Sequence, residues 1–377
     1  MRYIISIASI IIVSLQLICC SCRKDEPPIT TTNRTIIVYM LADNNLGSVY
    51  HFDNENIKSM LNAFTDNEID GRLLIFHSDK NAHPSLYEII QNKDKTATDT
   101  LLVDYTGCIS TDTATMRQVI SDAQRIAPAD SYGIIFWSHA TGWLPQNRYY
   151  APQYNNNTTS LGREGKEELT IDIDKIGKAL SPFHFNFILF DACLMSSIEV
   201  AYELKSVCDY IIASPTETMG AGYPYEEIIP LLYENNIDYN AVCQEYYNRY
   251  IAPTDWDGTI ALIKTSALEQ LADVCREIVY SNNTTTYSHT GIQYYDRKTP
   301  HVFFDLEHFM SQMATDEQKE LLKNALNEAV IYKAADDKFL GLIINNYCGL
   351  SCYIPGCADE ITEEYYSQLK WYNRIYK

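Results

Sequence analysis

The stretch Asn186–Leu204, NFILFDACLMSSIEVAYEL, limits the possible folds of this chain more than any other. An unbroken apolar run, Phe187 to Phe190, stops at Asp191-Ala192-Cys193, and the apolar residues beyond it (Met195, Ile198, Val200, Leu204) recur at helical spacing. A run with no polar alternation needs apolar neighbours on both faces, as strands of a parallel sheet have. The period that follows predicts an amphipathic helix. Strand, tight exit and helix place Cys193 just past the carboxyl end of a strand, the edge where open α/β sheets gather their chemistry. A nearby helix N-terminus lowers a thiol pKa and favours a reactive cysteine, but free cysteines are among the most buried residues, and by itself the stretch leaves a buried structural thiol the first reading.

A second stretch has the same grammar. In Ser131–Trp143, SYGIIFWSHATGW, the apolar run Ile134 to Trp137 delivers His139, and the small residues Ala140, Thr141 and Gly142 follow at once. Between the two lies LTIDIDKIGKAL, Leu169–Leu180, with Ile173, Ile176, Gly177 and Leu180 on one helical face. Strand, crossover helix and strand make a βαβ unit, which brings both strand ends to one edge of the sheet. His139 and Cys193 delivered side by side are a base and a nucleophile.

An apolar run ending in His plus a small residue, followed by an apolar run ending in x-Cys, resembles the caspase-like cysteine peptidases, in which the His also stands about 50 residues upstream. The text DACLMSSIEVAYEL, together with ASPTETMGAGYPY at Ala213–Tyr225, resembles the clostripain family of bacterial cysteine peptidases, from Arg34 to the GLSCYIP run at Gly349–Pro355. The resemblance implies an α/β fold, a caspase-like three-layer α/β/α sandwich with a mostly parallel sheet and a C-terminal extension. It also implies an endopeptidase with a Cys193–His139 dyad and an oxyanion hole built from the N–H groups of Cys193 and Ala140, the latter position usually Gly in the family. Cleavage after Arg or Lys is implied too, with Asp191 as a substrate-binding acid; a buried structural Asp is the alternative. Where a second pocket acid is often found this chain has Ala221, and Glu217 is the candidate substitute. No third catalytic residue is named by the sequence. No cofactor is expected, and neither the cysteine spacing nor any acidic loop marks a metal or calcium site.

The formal net charge of −20 excludes the basic stripe that nucleic acid or an anionic membrane surface would need. It suits basic peptides, or solubility alone. The expected partner is a peptide or protein substrate, met by a monomer. Met1-Arg2, the apolar stretch Tyr3–Ile18 and the cysteines behind it read as a bacterial lipoprotein signal over 1–21. Cys22, followed by Arg-Lys-Asp-Glu, is the first choice for lipidation; Cys20, with Leu17 three residues upstream, is the second. A lipid anchor would hold the chain at the cell envelope, as an outer-membrane lipoprotein, without a spanning helix. A tether over 22–33, a peptidase core over 34–280 and a C-terminal part over 281–377 complete the expected organisation.

Further strands are expected at Arg34–Leu41, Gly71–His77, Ser85–Gln91, Asp209–Ser214 and Gly258–Ile263. Helices are expected at His51–Phe64, Asp112–Ala127, Glu226–Asn236, Asn240–Ile251, Leu268–Tyr280, His301–Met313, Asp316–Ala334 and Glu363–Tyr376. The Asp43-Asn44-Asn45 cluster reads as turn chemistry, and His77 as structural. Leu144–Glu168 reads as a long exposed loop, with Arg148, Arg163 and Lys166 as candidate cut points or an uncut surface. Cys348, Cys352 and Cys357 are close enough in sequence for one bridge. Two other classes stay open: a catalytically inactive relative that binds peptide or glycan, and a cysteine amidase or transpeptidase.

Overall fold

A computed structural model of the chain describes residues 31–146, 161–164, 169–252, 255–282 and 286–377. Nine strands form one sheet: β1 (Thr32–Leu41), β2 (Arg72–Ser78), β3 (Ser85–Gln91), β4 (Ala97–Asp104), β5 (Ala129–Trp137), β6 (Phe185–Asp191), β7 (Cys208–Ala213), β8 (Thr259–Lys264) and β9 (Val330–Ala335). Their order is β9-β8-β7-β6-β5-β1-β2-β3-β4. The five central strands, β7 to β2, are parallel. Both flanks are antiparallel: β3 and β4 on one side, β8 and β9 on the other.

The continuous apolar runs have a simple physical cause. Side chains alternate between faces, so every residue of a doubly covered strand is buried. Ile37, Tyr39 and Leu41 of β1 enter one core while Ile36, Val38 and Met40 enter the other. Ile188 and Phe190 of β6 divide from Phe187 and Leu189 in the same way. Helices Thr113–Ile126, Ile173–Leu180, Ile198–Leu204 and Leu268–Asn282 cover the first face, and Phe52–Asp66, Tyr225–Leu232 and Tyr239–Tyr250 the second. This is the three-layer α/β/α sandwich. The C-terminal segment supplies β9 to the sheet and packs the first face with Phe303, Tyr353, Tyr366 and Trp371. Among the described residues no helix is long and apolar enough to cross a membrane.

Several expectations are corrected. β1 begins at Thr32, so Thr32 and Asn33 belong to the sheet and not to a tether ending at residue 33. β4 has no counterpart in the expectations, because its residues are mostly exposed and lack an apolar pattern. The helix expected over Asp316–Ala334 ends at Ala329; Val330 and Tyr332, β-branched and aromatic, pair antiparallel with Ile263 and Leu262 of β8 instead. The helix expected from His301 begins only at Leu306, where the Asp305 carboxylate accepts the His308 N–H at 2.7 Å. The closing helix is two, Glu360–Tyr366 and Lys370–Ile375. The bridge among Cys348, Cys352 and Cys357 does not form; all eight cysteines from Cys108 onward are free thiols. Leu161–Glu164, expected within an exposed loop, pairs with Leu169–Ile171, and Leu144 and Leu161 are buried. The leader 1–21, with Cys20, and Cys22 lie outside the described residues, as do Arg148, Lys166 and the side chain of Arg163.

Candidate active site

β5 and β6 are adjacent and parallel, with Trp137 opposite Asp191, so the residues just beyond them, His139 and Cys193, leave the sheet side by side. Both line a cavity of about 500 Å³ at the carboxyl edge, whose wall also holds Asp191, Glu217, Arg297 and Lys298. The strand–crossover–strand reading thus brings His139 and Cys193 to one cavity. Ala140, the next residue after the histidine, is buried in the core of the first face.

The exit from β6 differs from the expected strand-to-helix turn. Leu194 takes the left-handed conformation (φ 62°), uncommon for a side chain with a Cβ, and is held by its N–H on Thr216 O at 2.8 Å and by full burial. Its carbonyl leaves no space opposite: a Cβ on Gly142 would stand 2.6 Å from Leu194 O, so the turn after His139 requires that glycine. The helix starts only at Ile198, capped by Ser197, and a helix-terminus effect fades within a turn. The lowered thiol pKa expected from that helix is therefore absent. Burial pushes the Cys193 thiol up to about 12, with Glu217 adding to the rise. The Thr218 N–H, directed at Sγ over 3.3 Å, pulls the other way. At neutral pH Cys193 therefore carries a protonated thiol.

His139 is almost fully buried, and its Nε2 lies 2.5 Å from Asn45 Oδ1. Asn45 belongs to the Asp43-Asn44-Asn45 cluster expected as turn chemistry, and Asn44 does cap that turn on the Leu46 N–H at 2.9 Å; the contact of Asn45 with His139 was not expected. The signal available was its place, directly after a buried strand on the edge that carries His139.

Asp191 lines the cavity although it is nearly inaccessible, and it accepts the Tyr225 hydroxyl at 2.8 Å and the Tyr223 N–H at 3.1 Å. Burial pushes its carboxyl up to about 7 against those two hydrogen bonds. The neighbouring backbone is crowded: a Cβ on Gly222 would meet Asp191 Oδ2 at 2.7 Å. Ala221 is not in the wall of this cavity; its carbonyl accepts from Asn56 Nδ2. Glu217 is in the wall, but both its oxygens take Arg297 at 2.8 Å, so it does not offer a bare charge in place of the missing acid. Burial draws the Lys298 amine down to about 8. For a metal, the grouping among the described residues is Asp53, His77 and Asp79, whose ligand atoms lie within 4.8 Å of one another. His77 and Asp53 already form a pair at 2.8 Å, and none of the three lines the cavity that holds Cys193 and His139.

A doubly covered, mostly parallel sheet with a thiol and an imidazole at its carboxyl edge defines a caspase-like cysteine peptidase. The chain belongs to the clostripain family: the model of that family, Peptidase_C11, matches residues 38–377. It is similar to an inactive zymogen C11 protease from Parabacteroides distasonis, with 32% identity and a TM-score of 0.79 over 93% of this chain and 100% of the other. A secreted C11 cysteine protease from Bacteroides thetaiotaomicron, solved with an irreversible peptide inhibitor, is 30% identical, with a TM-score of 0.77 over 91% and 98%. A clostripain from the same organism, in complex with the peptide inhibitor BTN-VLTK-AOMK, is 31% identical, with a TM-score of 0.51 over 56% and 96%. No curated protein matches the chain.

Proposed function

We propose that this cysteine protease is a Cys193–His139 endopeptidase that cleaves after Arg or Lys. The observation that carries the reading is the shared cavity: thiol, imidazole and a buried carboxyl line one hollow at the carboxyl edge of the sheet. As Sγ attacks the scissile carbonyl, His139 takes its proton, since a thiol held near 12 does not ionise by itself at neutral pH. The S–C bond forms, and the oxyanion is received by the N–H groups of Cys193 and Ala140. Collapse breaks the C–N bond, and His139 protonates the leaving amine. Water then attacks the thioester and gives a proton to His139; the C–S bond breaks, the carboxylic acid product leaves, and His139 returns the proton to the sulfur.

Asp191 supplies the negative charge for a basic side chain, and the B. thetaiotaomicron neighbour's inhibitor, whose peptide VLTK ends in K, supports that preference. The test compares fluorogenic peptides with Arg, Lys, Ala or Asp at the scissile position, using the wild-type protein, Cys193→Ala and His139→Ala. Cleavage after Arg or Lys that both substitutions abolish is the expected result. Faster cleavage after Ala or Asp overturns the preference. Peptide binding without turnover moves the inactive relative to the front, and transfer to an added amine in place of hydrolysis, the transpeptidase. The N-terminal reading is an envelope lipoprotein anchored at Cys22; loss of the acyl mass and membrane association in Cys22→Ala tests it, and retention of both assigns Cys20.

A further inference from the structure

The turn after β1 is tied unusually closely to the strand that carries His139. β1 and β5 run parallel, with Met40 opposite Trp137. Leu41, the last residue of β1, offers its carbonyl to two side chains: Asn44 Nδ2 at 2.8 Å and Ser138 Oγ at 2.9 Å. Ser138 directly precedes His139. Asn44, itself buried, uses its other end to accept the Leu46 N–H at 2.9 Å and so starts the one-turn helix Asn45–Ser48. One carbonyl therefore fixes both the turn that carries Asn45 and the residue before the histidine. The result is the 2.5 Å contact between Asn45 Oδ1 and His139 Nε2.

An amide oxygen accepts hydrogen bonds and does not donate them, so Nε2 is the nitrogen that carries a proton in this contact, whether the ring is neutral or cationic. Proton exchange with the sulfur is then assigned to Nδ1. We infer that Asn45 is a positioning residue for the peptidase reaction: it holds the His139 ring and its tautomer through both proton transfers. The inference rests on the Cys193–His139 reading. An amide suits this site because it orients the imidazolium by a dipole without adding a full negative charge.

The test compares Asn45→Ala and Asn45→Asp with wild type on one Lys-containing peptide, across pH 5 to 9. Asn45→Ala is expected to lower kcat by about 10- to 100-fold with KM within about twofold, because ring orientation matters to the transition state and not to substrate binding. Asn45→Asp keeps the acceptor and adds charge. It is expected to retain most of the activity at high pH, with the acidic limb of kcat/KM moved up by about one pH unit. A merely structural Asn45 would change the melting temperature and the yield of active enzyme but leave that limb in place. Should Asn45→Ala fail to fold, the Asn45→Asp limb decides alone. Wild-type kcat in Asn45→Ala, or an unmoved limb in Asn45→Asp, overturns the inference. Cys193→Ala and His139→Ala run alongside: if they still cleave, the dyad reading is lost; if they are dead and Asn45→Ala is not slowed, only the role of Asn45 is lost.

Discussion

Cys193 shares a cavity with His139, while Cys357 touches His289, and the comparison separates bare contact from the setting that the proposed chemistry needs. Cys357 Sγ lies 3.3 Å from His289 Nδ1, an arrangement that taken alone has the shape of a nucleophile with its base. Thiol acidity does not tell the two apart, since burial pushes both thiols up to about 12. Their settings do. Cys193 stands at the end of a buried parallel strand, takes an N–H from Thr218 and shares its cavity with His139 and Asp191. Cys357 follows Gly356 on a surface turn, with the acidic Glu363 and Asp296 nearby. His289 opens onto a hollow of about 540 Å³ that Cys357 does not line. A cysteine near a histidine is a candidate catalytic pair only where both line a substrate-sized cavity, as Cys193 and His139 do and Cys357 and His289 do not.

The sharpest way to break this comparison is paired substitution. Cys193→Ala is expected to lower kcat/KM by about a thousandfold or more, as loss of a nucleophile does, while Cys357→Ala stays within about twofold. Peptide hydrolysis measures both, and the reverse ranking would invert the assignment. Next in size is Asp191→Asn, expected to cost about 10- to 100-fold on Lys and Arg peptides, the range for an unmatched buried charge, and little on neutral ones. The pH dependence follows from the raised carboxyl. Below about 7 Asp191 is protonated in the folded protein, so selectivity for Lys over Ala should climb as pH rises through 7 and stay flat in Asp191→Asn. The same shift makes the folded state the better proton binder between the ordinary carboxylate range and about 7. The contribution of Asp191 to stability therefore falls as pH rises through that window, and Asp191→Asn should flatten that part of the melting-temperature profile.

Gly142→Ala comes third. A left-handed backbone (φ 60°) and a Cβ against Leu194 O should together cost about 1–3 kcal/mol, read as a lower denaturation midpoint. Smallest is Arg297→Ala. It releases Glu217 from a half-exposed pair worth about 0.2–1 kcal/mol, and the added free carboxylate should raise kcat/KM on Lys peptides by a few fold, most at low salt. Unchanged selectivity would show that Glu217 does not face the substrate's basic side chain.

Much of this was readable in the chain. The runs at Ile134–Trp137 and Phe187–Phe190 are continuous because both faces of their strands are covered, and a βαβ unit has one handedness, so His139 and Cys193 had to share an edge. β4 was not readable because an edge strand exposed to water carries no burial pattern. The break at Ala329 was not readable either: residues 330–335 become a strand because β8 offers them a pairing edge, a partner some 70 residues upstream. The contact of Asn45 with His139 was not readable for a related reason. Asn at the end of a strand is common turn chemistry, and only the position of the neighbouring strand shows what its second function can be.

By itself, then, the sequence determined the sandwich, the edge where the cavity lies and two of the side chains that line it, Cys193 and His139, because strand burial and crossover handedness are local properties of pattern and chirality. The tertiary structure alone decided the state of that site. It held the thiol high by burial, where a helix terminus had been expected to lower it. It cancelled Glu217 with Arg297, raised Asp191 toward neutrality, and set Asn45 against His139. Desolvation and charge pairing depend on what lies within a few ångströms in space, and none of those neighbours is close in the chain.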